Sequence, residues 1–87
     1  MNNKVLVSLK VPELDKSFDI FLPVNKKIGN IIVLINKMLN DMTEGTYPIS
    51  KKSALFNMDT EELYKIDVLL INTTIRNGSK LLLIAQW

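Results

Sequence analysis

The chain has 87 residues and a formal net charge of +2, with 11 basic and 9 acidic side chains. This length suits one small domain with a single core, and 47% of the residues are hydrophobic. The absence of cysteine and histidine excludes disulfides, thiol nucleophiles, Cys/His zinc sites and histidine general bases. We therefore expect a single domain over residues 1–87, with no catalytic residues, no metal and no cofactor.

Neither a secretory signal nor a membrane span is predicted. Residues 1–8 mix apolar with polar side chains, so they lack the continuous apolar segment of a signal peptide. The longest wholly apolar runs, 31–35 and 81–85, are far shorter than the roughly 20 residues that cross a bilayer. The basic residues are scattered instead of forming one stripe, which disfavours nucleic-acid binding. We expect a cytoplasmic protein with no direct membrane insertion.

Alternating side chains predict two strands at the start of the chain. Every second residue of 5–11 is apolar, and the same holds for 18–24. This period of two is the pattern of a half-buried strand. Two strands so close in sequence should pair as an antiparallel hairpin. Pro23 has no N–H to donate, so the second strand is expected at an edge of the sheet.

The period then changes to that of a helix over residues 28–42. At about 100° per residue, seven apolar residues of this segment fall within a stripe of about 120°. They are Ile28, Ile31, Ile32, Ile35, Met38, Leu39 and Met42. Asn25 is the predicted N-cap, and Asn36 lies outside the stripe. Gly45 followed by Pro48 ends the helical region.

The last third of the chain contains shorter elements. The strand candidates are residues 55–58, a brief return strand at 63–64, and 80–84. The apolar segment 68–71 is compatible with a strand or with a turn of helix. Glu61 and Glu62 are adjacent and point to different sides, so they predict a polar turn and not a catalytic carboxylate pair. Asn77-Gly78 predicts a tight turn before the last strand.

A hairpin, one helix and a final strand that returns to the sheet form the β-grasp order. Residues 70–83 (LINTTIRNGSKLLL) resemble the L-x-x-x-x-I-x-x-G/E-x-x-L-x-L ending of ubiquitin, and residues 54–56 resemble its third strand. The resemblance implies an α+β ubiquitin-like β-grasp fold, a mixed sheet with one main helix packed across one face. The first and last strands would be parallel neighbours in its centre. Leu70, Ile75, Leu81 and Leu83 would belong to the core.

Among ubiquitin-like proteins, the chain resembles short bacterial members of the YukD/EsaB type, associated with type VII secretion. Trp87 follows the last strand, whereas a conjugated modifier needs a slim Gly-Gly tail. The resemblance thus implies a non-conjugated adaptor that acts by protein–protein interaction. Its partner would be a cytoplasmic domain of a membrane component of the secretion machinery. The alternatives are a sulfur-carrier or ubiquitin-like modifier protein, and a small nucleic-acid-binding domain.

The predicted interaction surface follows from strand alternation. If Leu81 and Leu83 face the helix, other apolar residues of the sheet face outward. In the ubiquitin family the solvent face of the sheet is the usual recognition surface. The predicted protein-interaction residues are Leu6, Phe56, Leu82 and Ile84. Such a surface also offers a route to self-association. The alternative is that the long C-terminal strand, Trp87 or a neighbouring molecule in a crystal covers these residues.

Overall fold

The computed structural model describes residues 3–50 and 52–86. Its helix and strands are β1 (Lys4–Val11), β2 (Lys16–Pro23), α1 (Ile28–Met42), β3 (Lys52–Asn57), β4 (Glu62–Leu63) and β5 (Lys80–Gln86). Two short 3-10 helices, Pro12–Leu14 and Leu70–Asn72, lie in the connections. The segment 68–71 therefore leads into a helical turn, and the return strand begins one residue earlier than predicted.

The strands form one mixed sheet in the order β2-β1-β5-β3-β4. β1 is antiparallel to β2 and parallel to β5, while β3 is antiparallel to both β5 and β4. The prediction that the first and last strands are parallel neighbours inside the sheet is confirmed. The edge position of β2 is confirmed as well. Because β2 is the outermost strand on its side of the described sheet, the missing N–H of Pro23 costs no hydrogen bond to a further strand. This topology is the ubiquitin-like β-grasp fold.

The core lies between α1 and one face of the sheet. Leu70, Ile75, Leu81 and Leu83 are all buried, as the ubiquitin-like ending implied. Burial of apolar surface contributes about 25 cal/mol per Å², which makes this layer the main stabilising element. The alternation predicted for β1 and β5 is confirmed, because the residues between the buried ones turn to the opposite face.

The start of α1 differs from the prediction. The helix begins at Ile28 after Lys27, and no side chain caps it. The first two backbone N–H groups of the helix donate hydrogen bonds to carbonyl oxygens of a later loop instead. Ile28 N donates to Val68 O at 2.9 Å, and Gly29 N donates to Ile66 O at 2.8 Å. Asn25 is therefore not the N-cap, because a tertiary contact satisfies the donors that a cap would serve.

The apolar stripe of α1 also needs two corrections. Met42 is 55% exposed, because as the last residue of the helix it borders an open groove that Lys16 and Phe18 of β2 also line. Asn36, which lies outside the stripe, is buried. Its Nδ2 donates to Ile32 O at 3.0 Å and to Ser53 Oγ at 3.2 Å, and its Oδ1 accepts from Ser50 N at 3.4 Å. These bonds permit the burial of an amide.

Candidate interaction surface

The face of the sheet opposite α1 carries apolar side chains from three neighbouring strands. Leu82 of β5 lies beside Phe56 of β3, and Phe56 lies beside Leu63 of β4. We call these three residues the apolar row. Leu63 is 62% exposed, whereas Phe56 and Leu82 are half-buried. Ile84, which is 38% exposed, is paired with Ala54 next to the row. The structure thus brings three of the four predicted residues together.

Leu6 lies apart from the other three. It is 41% exposed and on the predicted face, but its neighbour there is Phe21 of β2. The β1 residue beside Leu82 is Lys10, four positions further along the strand. Four residues of a strand span about 13 Å. The expectation that all four residues form one patch is therefore wrong for Leu6, because the parallel register of β1 and β5 separates it.

The tight turn before β5 sets this register. Leu6 N donates to Asn77 Oδ1 at 2.8 Å, and Gly78 N donates to Leu6 O at 2.8 Å. Gly78 has a φ of +87°, a left-handed conformation that glycine adopts without strain. The turn predicted at Asn77-Gly78 is thus confirmed, and it anchors β5 beside β1 so that Leu82 faces outward next to Lys10.

Two lysines lie at the Leu82 end of the apolar row. Lys10 lies beside Leu82, and Lys80 precedes it by two residues on the same face. Lys52 is on the same face but lies four residues from Phe56 along β3, away from the row. Each of these lysines is paired across the strands with uncharged residues. Lys10 pairs with Ser17 and Leu82, Lys80 pairs with Ser8, and Lys52 pairs with Gln86. No carboxylate is paired directly with these lysines, although Asp19 lies on the same face diagonally from Lys10.

A hydrogen-bonded cluster holds β4 in place beside β3. Thr74 Oγ1 donates to Glu62 Oε1 at 2.5 Å and lies 2.7 Å from Tyr64 Oη. Asn57 Nδ2 donates to Tyr64 Oη at 3.0 Å. The Thr74 hydrogen bond is the main cause that lowers the pKa of Glu62. The carboxylate thus connects β4 to the segment before β5, and this connection positions Leu63.

The described residues offer no arrangement for catalysis by paired carboxylates. Glu61 occupies a turn with a φ of +61°, and the adjacent Glu62 carboxylate is bonded to Thr74. Within residues 3–50 and 52–86, no three acidic side chains are grouped so that they could hold a metal ion. No helix in the described part of the chain is long and apolar enough to cross a membrane.

Comparison with known proteins gives a fold but no family. No family model matches the chain, and no curated protein is similar to it. The EccD5 ubiquitin-like domain from Mycobacterium xenopi is 15% identical with a TM-score of 0.76, over 98% of this chain and 97% of that one. The ubiquitin-like domain of the Mycobacterium tuberculosis type VII secretion system protein ECCD1 is 18% identical with a TM-score of 0.70, over 94% and 98%.

A third similar structure is part of a larger assembly. A chain of the MycP5-free ESX-5 inner membrane complex is 18% identical with a TM-score of 0.76. The match covers 99% of this chain and 22% of that one, so this chain spans about a fifth of that protein. Other ubiquitin-like domains match with TM-scores of 0.67 and 0.66. At these identities the likeness establishes the ubiquitin-like fold.

Proposed function

We propose that residues 1–87 are a single ubiquitin-like domain that serves as a non-conjugated adaptor of a bacterial type VII secretion system. The protein works in the cytoplasm by protein–protein interaction and not by catalysis. Its partner is a cytoplasmic domain of a membrane component of that system. Two similarities support this assignment: the sequence resemblance to the YukD/EsaB type, and the shared fold with the ubiquitin-like domain of ECCD1.

The observation that carries the proposal is the apolar row, with two lysines at its Leu82 end. Leu63, Phe56 and Leu82 come from three strands and lie side by side in a continuous line on the face opposite α1. Lys10 and Lys80 border Leu82. An apolar centre bordered by polar side chains is the usual anatomy of a protein interface. A binding role therefore accounts for exposed apolar residues that the core does not use.

Replacing Leu82 by lysine tests the proposal. A charge at the centre of a desolvated interface stays unpaired, so Leu82→Lys should weaken partner binding by about 2 kcal/mol or more. The measurement is a pull-down from extract of the native host, with circular dichroism to verify the fold. Leu6→Lys is the matched control, because it places the same charge on the same face but away from the row.

Two results would contradict this assignment of the surface. If folded Leu82→Lys protein still captures the partner, the interface lies elsewhere. If Leu6→Lys abolishes capture as well, the contact is not confined to the row. A genome locus without a large secretion ATPase and small WXG-type substrates would count against the secretion context. Self-association through the row is the competing interpretation, and sedimentation of the free wild-type and Leu82→Lys proteins distinguishes it.

Within residues 1–87, the sulfur-carrier or modifier alternative would require cleavage at Gly78. That chemistry needs a terminal glycine carboxylate, and Gly78 precedes β5. Cleavage after Gly78 would remove Leu81 and Leu83, both fully buried in the core. A thiocarboxylate or a protein adduct in the intact mass from the native host would favour this alternative. Steeply salt-dependent RNA or DNA binding would favour the nucleic-acid alternative.

A further inference from the structure

A second surface lies at the edge of the sheet, between α1 and the start of β3, and is separate from the apolar row. It is a groove of about 260 Å³. Val33, Ile49 and Ile66 form its sides, each with more than half of its surface exposed, and Ile32 and Ser53 contribute to its floor. None of the described side chains that line the groove is ionisable. The groove therefore favours an apolar side chain.

On the side of β3 away from β5, no described strand pairs with Ser53 and Ala54, and Ile66 borders Ser53 there. Among the described residues, β4 pairs with Phe56 and Asn57, and Tyr64 N then donates to Leu55 O at 3.1 Å. Beyond that point the chain turns toward α1, where Ile66 O accepts from Gly29 N. Main-chain groups alternate in direction along a strand. Because Leu55 O points away from β5, the N–H and C=O of Ser53 also point to this side of β3.

A second groove of about 360 Å³ lies on the other side of Ile66. Lys52, Ala54 and Ile84 line it, and it shares Ser53 and Ile66 with the first groove. Lys52 is the charged member among its described lining residues, and its cross-strand neighbour is Gln86. The two grooves thus meet at the edge of β3, and the second contains Ile84 of the predicted interaction surface.

We propose that this edge binds an extended, acidic–apolar segment of a protein partner as an added strand beside β3. The main chain of the segment pairs with Ser53. Side chains of a strand alternate between its faces, so one side chain enters the groove at Val33 and Ile49 while the next lies near Lys52. The inference rests on the proposed protein-binding role and adds a second contact to it.

Charge determines the class of the occupant. An apolar side chain fits the groove beside α1, and a carboxylate fits the groove beside Lys52, which faces no acidic neighbour across the sheet. A second copy of this chain would bring its own net positive charge to the contact, so an acidic partner segment is favoured.

Two sets of short synthetic peptides test the proposal. In one set apolar residues alternate with glutamate, and in the matched set lysine replaces each glutamate. In a fluorescence anisotropy titration, we expect the wild-type protein to bind the glutamate peptides and to show no binding of the lysine peptides. The amide signal of Ser53 should show the largest NMR shift on binding. Lys52→Glu should remove the preference for glutamate.

Two helix variants locate the contact. Val33→Glu places a charge in the apolar groove and should reduce peptide affinity by about tenfold or more, which is about 1.4 kcal/mol. Leu34→Glu places the same charge at the next exposed position of α1, outside the groove, and should bind as the wild type does. If Val33→Glu does not fold, Ile49→Glu replaces it, because Ile49 lies in a loop on the same groove.

The outcomes separate this inference from the proposed function. No binding of glutamate peptides, equal binding by Val33→Glu and Leu34→Glu, or shifts centred on the apolar row each overturn the edge site. If the host partner is lost from Leu82→Lys protein but retained by Val33→Glu protein, the proposed function stands and the edge site is refuted. If both variants lose the partner while Leu34→Glu retains it, both surfaces are contacts.

Discussion

At the scale of single residues, periodicity predicted the apolar core but not the buried amides. Leu81 and Leu83 are buried as their alternation indicates. Asn36 lies outside the apolar stripe of α1 and is buried nonetheless, because Ser50 and Ser53 supply hydrogen-bond partners. Hydrophobic patterning records only which side chains avoid water. It contains no information about partners on a distant strand, so Asn36 could not be placed from the sequence.

Asn36→Ala should lower the free energy of unfolding by about 1–3 kcal/mol, because it leaves buried groups of Ser50 and Ser53 without their partner. Urea unfolding followed by circular dichroism measures the change. Asn30→Ala, an exposed position of the same helix, is the control and should change stability by no more than about 0.5 kcal/mol. Equal losses in both variants would show that the Asn36 bonds do not stabilise the fold.

The Glu62 carboxylate makes stability depend on pH. Its pKa is lowered in the folded protein, first by the hydrogen bond from Thr74 and then by one from Thr60. A lowered folded-state pKa stabilises the fold above the ordinary glutamate pKa, and this contribution is lost as the pH falls through the folded-state value. Thr74→Val should therefore raise the pKa of Glu62 and flatten the acid decline in stability.

An NMR titration of the Glu62 carboxyl carbon, beside acid unfolding of both proteins, measures this effect. Circular dichroism at neutral pH is the control for an intact fold. An unchanged pKa in Thr74→Val would mean that Thr60 alone holds the carboxylate in its ionised form.

At the scale of elements, the long periodic segments were predictable and the short ones were not. The bounds of α1, Ile28–Met42, match the predicted range, and the β1–β2 hairpin is antiparallel as expected. The N-cap of α1 was mispredicted because the carbonyl oxygens of Val68 and Ile66, in a remote loop, accept the hydrogen bonds that a capping side chain would accept. β4 has only two residues, Glu62–Leu63, so it carries almost no pattern of its own.

Ile35→Ala tests the packing of α1 against the sheet. Ile35 is 2% exposed, so truncation opens a cavity between the helix and the sheet and should cost about 2–5 kcal/mol. Chemical denaturation gives the value. Leu34→Ala is the control: it removes a side chain of similar volume from the neighbouring half-exposed position of α1. It should lower the free energy of unfolding much less than Ile35→Ala does. Similar costs for the two would mean that the stripe is misaligned with the core.

At the scale of the whole molecule, the fold class followed from the order of elements and the interaction surface only in part. Alternation correctly indicated the outward direction of Phe56, Leu82 and Ile84. It could not show which residues of different strands become neighbours. Leu6 was therefore grouped with them wrongly, and Leu63 was missed because its place beside Phe56 depends on β4. Whether the apolar row binds a partner stays a prediction that Leu82→Lys tests.

The parallel pairing of β1 with β5 has a consequence for how the protein is made. Ser8 pairs with Lys80, and nearly all of the described chain lies between them. The β1–β2 hairpin leaves the ribosome early, but β1 and β3 have no common neighbour until β5 has emerged. Closing so long a loop is slow relative to forming local contacts. The hairpin and the β3–β4 pair of the nascent chain therefore stay separate parts of the sheet until β5 has left the ribosome.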